Sequence, residues 1–556
     1  LVTEQRDLAA VRWALDETDT VGLDIETTGL NPRTDRVRLL SLSTERGTYL
    51  IDAFRVDVRA LFEHLAEKPL VTHNGAFDLA FLAREGLAPG TVHDTMLLSQ
   101  LLLAGVHERH KLPLCVQREL GEALDKEEQK SDWSRPDLSP EQLAYAARDA
   151  EVLPRLYRVM STKIQAAGLD RVAEIERRCL PALVWLAGQG APFDRDTWSA
   201  LARQAEAEAA ALTERLDTAA GRREGFLGEM ATWDWNSPAQ VKQALAAAGC
   251  LVEDTTDEAL AAVDHPLAAL VRDYRGATKR CTTYGQGWLA HVTPDGRVYA
   301  QWVQLGSRAG RMSCRDPNLQ QVPRGEHRRC VRPPSGRVLV KADYSQIELR
   351  IAALVADERR MVEAFRRGED LHVLTAQRVL GVGEVTKAQR QLAKAVNFGL
   401  LYGMGARGFQ VYARSNYGVA MTADEAKSYR AAFFRAYPGL ERWHRSVTDG
   451  EVETRTLTGR RRLGVKKFTE KLNTPVQGTG ADGLKLALAL LWERRADCPG
   501  AVPVLAVHDE IVVECEQGRA EAAGAWLKQA MLDAMAPLID PVPVEVDVKT
   551  APTWGG

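Results

Sequence analysis

The chain has 556 residues, is 45% hydrophobic and 26% charged, and carries a formal net charge of −3. That is an ordinary globular composition, and the length exceeds what one core serves, so about three or four domains are expected. A disordered chain is excluded, no apolar run nears the roughly 18 residues of a membrane helix, and eight scattered cysteines without a CxxC pair argue against zinc and disulfide frameworks.

Taken in chain order, residues 21–26 and 37–52 alternate as strands, with a turn at Arg46-Gly47. Helical patterns follow at 57–66, 76–85 and 94–104, which predicts a compact α/β unit ending near residue 160. Residues 162–290 are mostly helical and rich in Ala, Glu and Arg, as long exposed helices are. Strands are predicted at 296–304 and 337–344, helices through 355–490, then strand, turn, strand, helix, strand over 501–556. Charge is uneven: residues 1–161 carry about −8, leaving about +5 for the rest. Reduced thiols fit a cytoplasmic location. The chain begins at Leu1, not Met, as a fragment would.

Two acidic constellations stand out. In "GLDIETTGLN", Asp24 and Glu26 are two apart on a strand and so share a face, while Leu23 and Ile25 point to a core. Two such carboxylates repel unless a divalent cation sits between them, and Mg²⁺ and Mn²⁺ prefer oxygen ligands. "THNGAFDLAFL" adds Asn74 and Asp78, and "YAARDAEV" adds Tyr145 and Asp149, four apart on a helix. Asp94, in "HDTML", reads as structural. In the second constellation, Asp343 ends the strand of "GRVLVKADYSQIELR", and Asp509 and Glu510 lie in "VHDEIVVE". Adjacent residues on a straight strand face opposite ways, so both acids are expected at a hairpin tip between 503–507 and 511–515. Between these comes "TKAQRQLAKAVNFGLLYGMG". It opens with Thr386 and Gln389 at capping-box spacing. Arg390, Lys394, Phe398 and Tyr402 then recur every fourth residue on one helix face. Cations followed by aromatics suit a nucleoside triphosphate, though an amphipathic helix with a basic edge has the same pattern.

The order DIETTGL, NxxFD, YxxxD resembles the DEDD-type 3′–5′ exonucleases. DYSQIELR, RxxxKxxxFGxxYG and VHDE, with "GSRAGRMSCRDPNLQQVP", "GEDLH", "NTPVQGTGAD" and "VDVKTAPTW", resemble the family A DNA polymerases. The resemblance spans essentially the whole chain. It implies an α/β multidomain fold: an RNase H-like exonuclease domain (1–161) followed by a right-hand polymerase. The implied polymerase parts are a thumb (162–290), a palm in two parts (291–354 and 483–556) and fingers (355–482).

What the resemblance implies for function is a DNA-templated polymerase with 3′–5′ proofreading, a nucleotidyltransferase of replication or repair in a bacterial or phage-infected cell. Two Mg²⁺ ions per active site are implied, with Mn²⁺ able to substitute. Asp24, Glu26, Asp78 and Asp149 would hold one pair, with Tyr145 orienting water. Asp343 and Asp509 would hold the other, with Glu510 in support. Arg390, Lys394, Phe398, Tyr402, His372, Glu348 and Gln346 would bind the nucleotide. Within that set Lys394 would protonate pyrophosphate, Phe398 would select against dideoxynucleotides and Glu348 against ribonucleotides. Arg311, Asn473, Gln477 and His508 would touch the DNA. Primer–template DNA and dNTPs are the implied partners of a monomer that needs no membrane.

Two departures from the family pattern concern fidelity: "SRAG" before Arg311, and Thr469 where relatives usually have Arg, a contact that Lys471 could supply. Basic stretches at 323–332 and 455–467 are candidates for phosphate contact. The alternatives are a relative that also copies RNA, and a nuclease or DNA-binding relative with weak polymerase activity.

Overall fold

Alternation of buried and solvent-facing residues builds the first sheet. In the computed structural model, which describes residues 1–106, 109–124, 128, 131–221, 223–224 and 230–556, β1 (Val21–Thr27) lies at its centre. The strand order is β3-β2-β1-β4-β5, with β2 Val37–Thr44, β3 Gly47–Asp52, β4 Pro69–Thr72 and β5 Thr91–Asp94. The β1–β2–β3 pairs are antiparallel, and β4 and β5 join in parallel. Leu23 and Ile25 point into the core with Leu40, Leu42, Leu79 and Val92, as their spacing requires. Helices α1 (Gly75–Arg84), α2 (Thr95–Leu103) and α3 (Pro140–Ala166) cover this sheet. Ser139 and Gln142 form a capping box that starts α3.

The expected boundary at 161 falls inside α3. The next helix, α4 (Asp170–Gln189), departs from the expected exposed helical region. It is deeply buried: Leu180 and Val184 belong to the core of the first sheet, while Cys179, Ala182, Leu183 and Leu186 belong to the largest core of the protein. Only beyond it do long, largely exposed helices appear. These are α5 (Arg195–Ala220) and α6 (Pro266–Tyr284), which share a smaller core around Leu212, Leu216, Trp235, Val271 and Tyr274. Residues 222 and 225–229 of that region lie outside the described residues.

The second sheet is built from β6 (Arg337–Tyr344), followed by helices α7 (Ile347–Val355), α8 (Leu371–Leu380) and α9 (Lys387–Leu401). A two-stranded ribbon, β7 (Val452–Arg455) and β8 (Arg461–Val465), interrupts the stretch expected to be helical. Helix α10 (Phe468–Glu493) runs through the expected boundary at 482. Then come β9 (Val502–Val507), β10 (Glu510–Glu516), α11 (Ala520–Ile539) and β11 (Val546–Ala551). The antiparallel order is β9-β10-β6-β11. Val340, Ala342 and Tyr344 point into the core beside Leu527 and Met531 on α11. Period two therefore turns Lys341 and Asp343 to the opposite face. All eight cysteines are unpaired. No helix among the described residues is long and apolar enough to cross a membrane.

Candidate active sites

The first site starts on β1, where Asp24 and Glu26 are both part-exposed on either side of the buried Ile25. Asp78, in the first turn of α1, is buried, and its Oδ1 accepts a hydrogen bond 3.2 Å from the Ile25 amide. Its carboxylate thus meets the strand between the two acids. Burial pushes the Asp78 carboxyl well above the usual range, and Asp94 pushes in the same direction. Asp94 braces the site from behind: it accepts from the Gly75 amide at 2.5 Å and the Leu97 amide at 2.9 Å, tying together the starts of α1 and α2. Helix α3 supplies Tyr145 and Asp149. It comes so close to β1 that a Cβ at Gly22 would lie 2.6 Å from the Ala150 carbonyl oxygen. The Tyr145 hydroxyl is pushed far above its ordinary range, first by burial, then by Asp149, Glu26 and Asp24. Three carboxylates therefore act on one phenol.

The second site lies at the end of the second sheet. The β9–β10 hairpin turns at His508 (φ 60°) and Asp509, so Asp509 sits at the tip as expected, whereas Glu510 is already the first residue of β10, paired with Val507. The Asp509 carbonyl accepts from the Tyr344 amide at 3.2 Å, which docks the tip against the end of β6. In the ladders Asp343 stands opposite Glu510 on one side and Asp547 on the other. Burial raises the Asp343 carboxyl, and Asp509, Glu510 and Asp547 raise it further. The Asp509 carboxyl is likewise raised, by burial and then by Glu348 and Glu510. Glu510 is already occupied, accepting from the Trp554 indole at 2.6 Å.

Across from these acids, the Thr386–Gln389 capping box starts α9 as the sequence predicts. Arg390, Lys394 and Phe398 follow on one face, with Tyr402 just past the helix end. Arg390 is held by two hydrogen bonds to Asp370, at 2.9 and 2.7 Å. Glu348 is clamped between Arg311 (2.7 Å) and the Tyr402 hydroxyl (2.6 Å). Gln477 donates to Asn473 at 3.2 Å. Gln346 starts α7 at φ 53°, and its buried Oε1 has no hydrogen-bond partner among the described residues.

Residues 196–556 match the DNA polymerase family A profile, and residues 1–165 match a 3′–5′ exonuclease profile. The chain belongs to DNA polymerase family A. It is a DNA-directed DNA polymerase that also carries a 3′–5′ exonuclease domain. It is 35% identical to DNA polymerase I of Aquifex aeolicus, covering 100% of this chain and 99% of that protein. It is 30% identical to DNA polymerase I of Pseudomonas aeruginosa (100% and 65%) and of Rhizobium leguminosarum (87% and 50%). The chain thus spans one relative almost entirely, but about half to two thirds of the other two. A solved polymerase domain of Pol1 from M. smegmatis, in complex with primer–template DNA and dNTP, shares the fold with a TM-score of 0.84. Its identity is 24%, over 99% of this chain and 98% of that one.

Families of both kinds use divalent metals. The all-oxygen donor sets of this polymerase fit them: the carboxyls of Asp343 and Asp509 are raised first by burial and then by neighbouring carboxylates, and a bound cation would favour their charged forms. Among the described residues no three acid, His or Cys side chains are gathered tightly enough to hold an ion as they stand.

Several expected site residues have other duties in this family A chain. His372, expected on the nucleotide phosphates, is only 3% exposed. Asn397 donates to its Nδ1 at 2.9 Å, its ring lies 5.8 Å from that of Phe398, and burial pushes it down to about 4. The ring packs beside Phe398, and burial favours its neutral form over the cation. Lys471, expected as a substitute template contact, is buried with its ammonium on the Thr448 and Gly450 carbonyls (2.6 and 2.7 Å). Thr469 is exposed. In the 455–467 stretch, Arg460 is buried against Glu176 and Asp482, Arg461 donates to the Leu102 carbonyl and Arg462 pairs with Glu470. Those cations brace the fold. In the 323–332 stretch, Arg324 is exposed and makes no ion pair among the described residues. Ser307 Oγ accepts from the Arg311 amide at 3.0 Å, so the departure at "SRAG" retains a hydroxyl support. Asp370, Asn397 and Asp547 escaped the sequence reading. Asp370 could have been found from its place in "GEDLH", where it caps α8 through the His372 amide.

Proposed function

We propose that the second site extends a primer 3′ end with deoxynucleotides on a DNA template, and that the first site removes the terminal nucleotide. The observation that carries this is the meeting of Asp343 and Asp509, from two separate chain segments, at one sheet end that Glu348 and Tyr402 link to the Arg390–Lys394–Phe398 face. Residues 291–354 and 483–556 act as palm and 355–482 as fingers, while the thumb expected over 162–290 is confined to the part beyond α4, the helices α5 and α6.

When bound, two Mg²⁺ ions at Asp343 and Asp509 would activate the primer hydroxyl and neutralise the leaving group, and a second pair at Asp24, Glu26, Asp78 and Asp149 would serve hydrolysis. Lys394, which makes no ion pair among the described residues, binds the triphosphate and protonates the pyrophosphate. Arg390 joins it by exchanging or sharing its bonds to Asp370. Phe398 packs on the sugar. Glu348, fixed on both oxygens by Arg311 and Tyr402, cannot yield to a 2′-hydroxyl and so excludes ribonucleotides. Gln346 brings its orphaned carbonyl to the nucleotide. Asn473, Gln477, Arg311 and His508 follow the primer–template minor groove. At the first site Tyr145, polarised by its carboxylate neighbours, orients the attacking water. The enzyme works as a cytoplasmic monomer.

The test is extension of a labelled primer on a DNA template with dNTPs and Mg²⁺. Asp343→Ala is expected to stop extension while shortening of the primer continues. If Asp343→Ala extends as the parent does, this assignment is wrong.

A further inference from the structure

The last strand of the palm sheet is followed by a short tail that returns over the acid row. Trp554, in this tail, is only 2% exposed, and four separate contacts fix it. Its amide donates to the Val331 carbonyl at 3.0 Å, and its carbonyl accepts from Lys341 Nζ at 3.0 Å. The Arg328 guanidinium lies 3.9 Å from the ring centroid on one face. Its indole Nε1 donates to Glu510 Oε1 at 2.6 Å. Lys341 is two residues before Asp343 on β6, so the tail covers the face that bears the acid.

Glu510 is the cross-strand partner of Asp343. Directly opposed residues in an antiparallel pair have Cβ atoms about 5 Å apart, so nothing in the backbone keeps the Glu510 carboxylate from joining Asp343 and Asp509. The bond to the indole does so instead. An indole N–H only donates, and here it meets a charged acceptor at short range, the stronger class of hydrogen bond.

We propose that Trp554 is a positioning residue of the polymerase site: its indole N–H withholds Glu510, so that two carboxylates, not three, are presented to divalent cations. This inference rests on the reading of Asp343 and Asp509 as metal ligands. A site closed by a third carboxylate would hold its ion more tightly and would leave fewer positions for the triphosphate oxygens. The Arg328 cation stacked on the indole and the Lys341 ammonium on its carbonyl keep Trp554 in place.

The experiment measures Mn²⁺ binding to the full chain by electron paramagnetic resonance of the free ion, without DNA or nucleotide. The background is Asp24→Ala with Glu26→Ala, so that the first site is silent. Asp343→Ala should remove the remaining palm binding; if it does not, the metal-ligand reading itself fails. Given that loss, Trp554→Phe should tighten Mn²⁺ binding about tenfold, the lower end of what outer-shell partners of metal ligands contribute. Adding Glu510→Gln to Trp554→Phe should return the affinity to that of the background. Unchanged or weaker binding in a folded Trp554→Phe protein overturns the inference. Glu510→Gln with Trp554 intact tests it without disturbing the tail. Unchanged affinity supports withholding, and a tenfold weakening shows Glu510 to be a ligand already and overturns it.

Discussion

The two proposed sites, one in the exonuclease domain and one in the polymerase domain, are both rows of carboxylates at sheet strands, yet they are built in opposite ways. The first is assembled inside one domain, with Asp78 bonded to the backbone of the strand that carries Asp24 and Glu26, and Asp94 wired to two helix starts. The second is assembled between parts: a strand end, a hairpin tip, a helix across the cleft and a C-terminal tail. Around it stand Arg311, Arg324, Arg328, Arg390 and Lys394, whereas the exonuclease region is net negative. The difference teaches that the first site is rigid but has few cations for a strand, and the second carries its own means of holding phosphates.

The comparison breaks most simply if the sites are not separable. Asp509→Ala should lower primer extension by about a thousandfold or more, the several kcal/mol expected for loss of a metal ligand, with trimming intact. Asp24→Ala with Glu26→Ala should do the reverse. A single lesion that removed both activities from a folded protein would collapse the two-site description. Rigidity of the first site is tested at Gly22. There a methyl group has no room beneath α3, and Gly22→Ala should cut trimming by about a hundredfold through displaced geometry while extension is unchanged. The clamp on Glu348 in the second site is tested at Tyr402. Tyr402→Phe removes one of the two bonds that fix Glu348, and discrimination against ribonucleotides should fall about tenfold, the worth of a hydrogen bond to a charged group. Competition between dNTP and rNTP in primer extension measures it.

The smallest effect is one the two regions share. His93 beside the first site and His372 beneath the fingers helix are each pushed down by burial to about 4. A histidine with a lowered folded value takes up protons on unfolding, so it costs nothing above its unfolded value near 6.5 and destabilises the fold progressively as pH falls from there toward 4. The raised carboxyls of Asp78, Asp343 and Asp509 act in the opposite sense, so the measurement is a difference: between pH 7.5 and 4.5 the melting temperature of His372→Gln should gain on that of the parent as pH falls. A slope unchanged by the substitution would mean the ring is not the buried neutral group described.

Acids declare themselves in sequence because period two and period four put them on shared faces. That is why Asp24 with Glu26, Tyr145 with Asp149, and the Arg390–Lys394–Phe398 face were legible. The hairpin at Asp509 was legible for the same reason, since a straight strand could not use both acids. Cations were harder. Arg460 reads as an exposed member of a basic run, and its burial is decided by Glu176, 284 positions away. Glu176, Asp482 and Lys485 complete a fully buried group with it, and no local pattern connects them. Lys471 was misplaced, and the burial of His372 was not foreseen, because composition does not say which side of a helix is covered. Asp547 joins the acid row only through the register of β11 on β6.

Helix α4 is the feature with the widest consequence. It gives Leu180 and Val184 to one core and Cys179, Leu183 and Leu186 to the other, and its Glu176 is locked to Arg460 and Lys485. Swinging the two catalytic regions apart would expose apolar surface and strand buried charges together, a cost of several kcal/mol. The machine therefore has a fixed chassis. On the proposed assignment of the two sites, a primer end could pass from one to the other only by movement of the DNA and not of the protein.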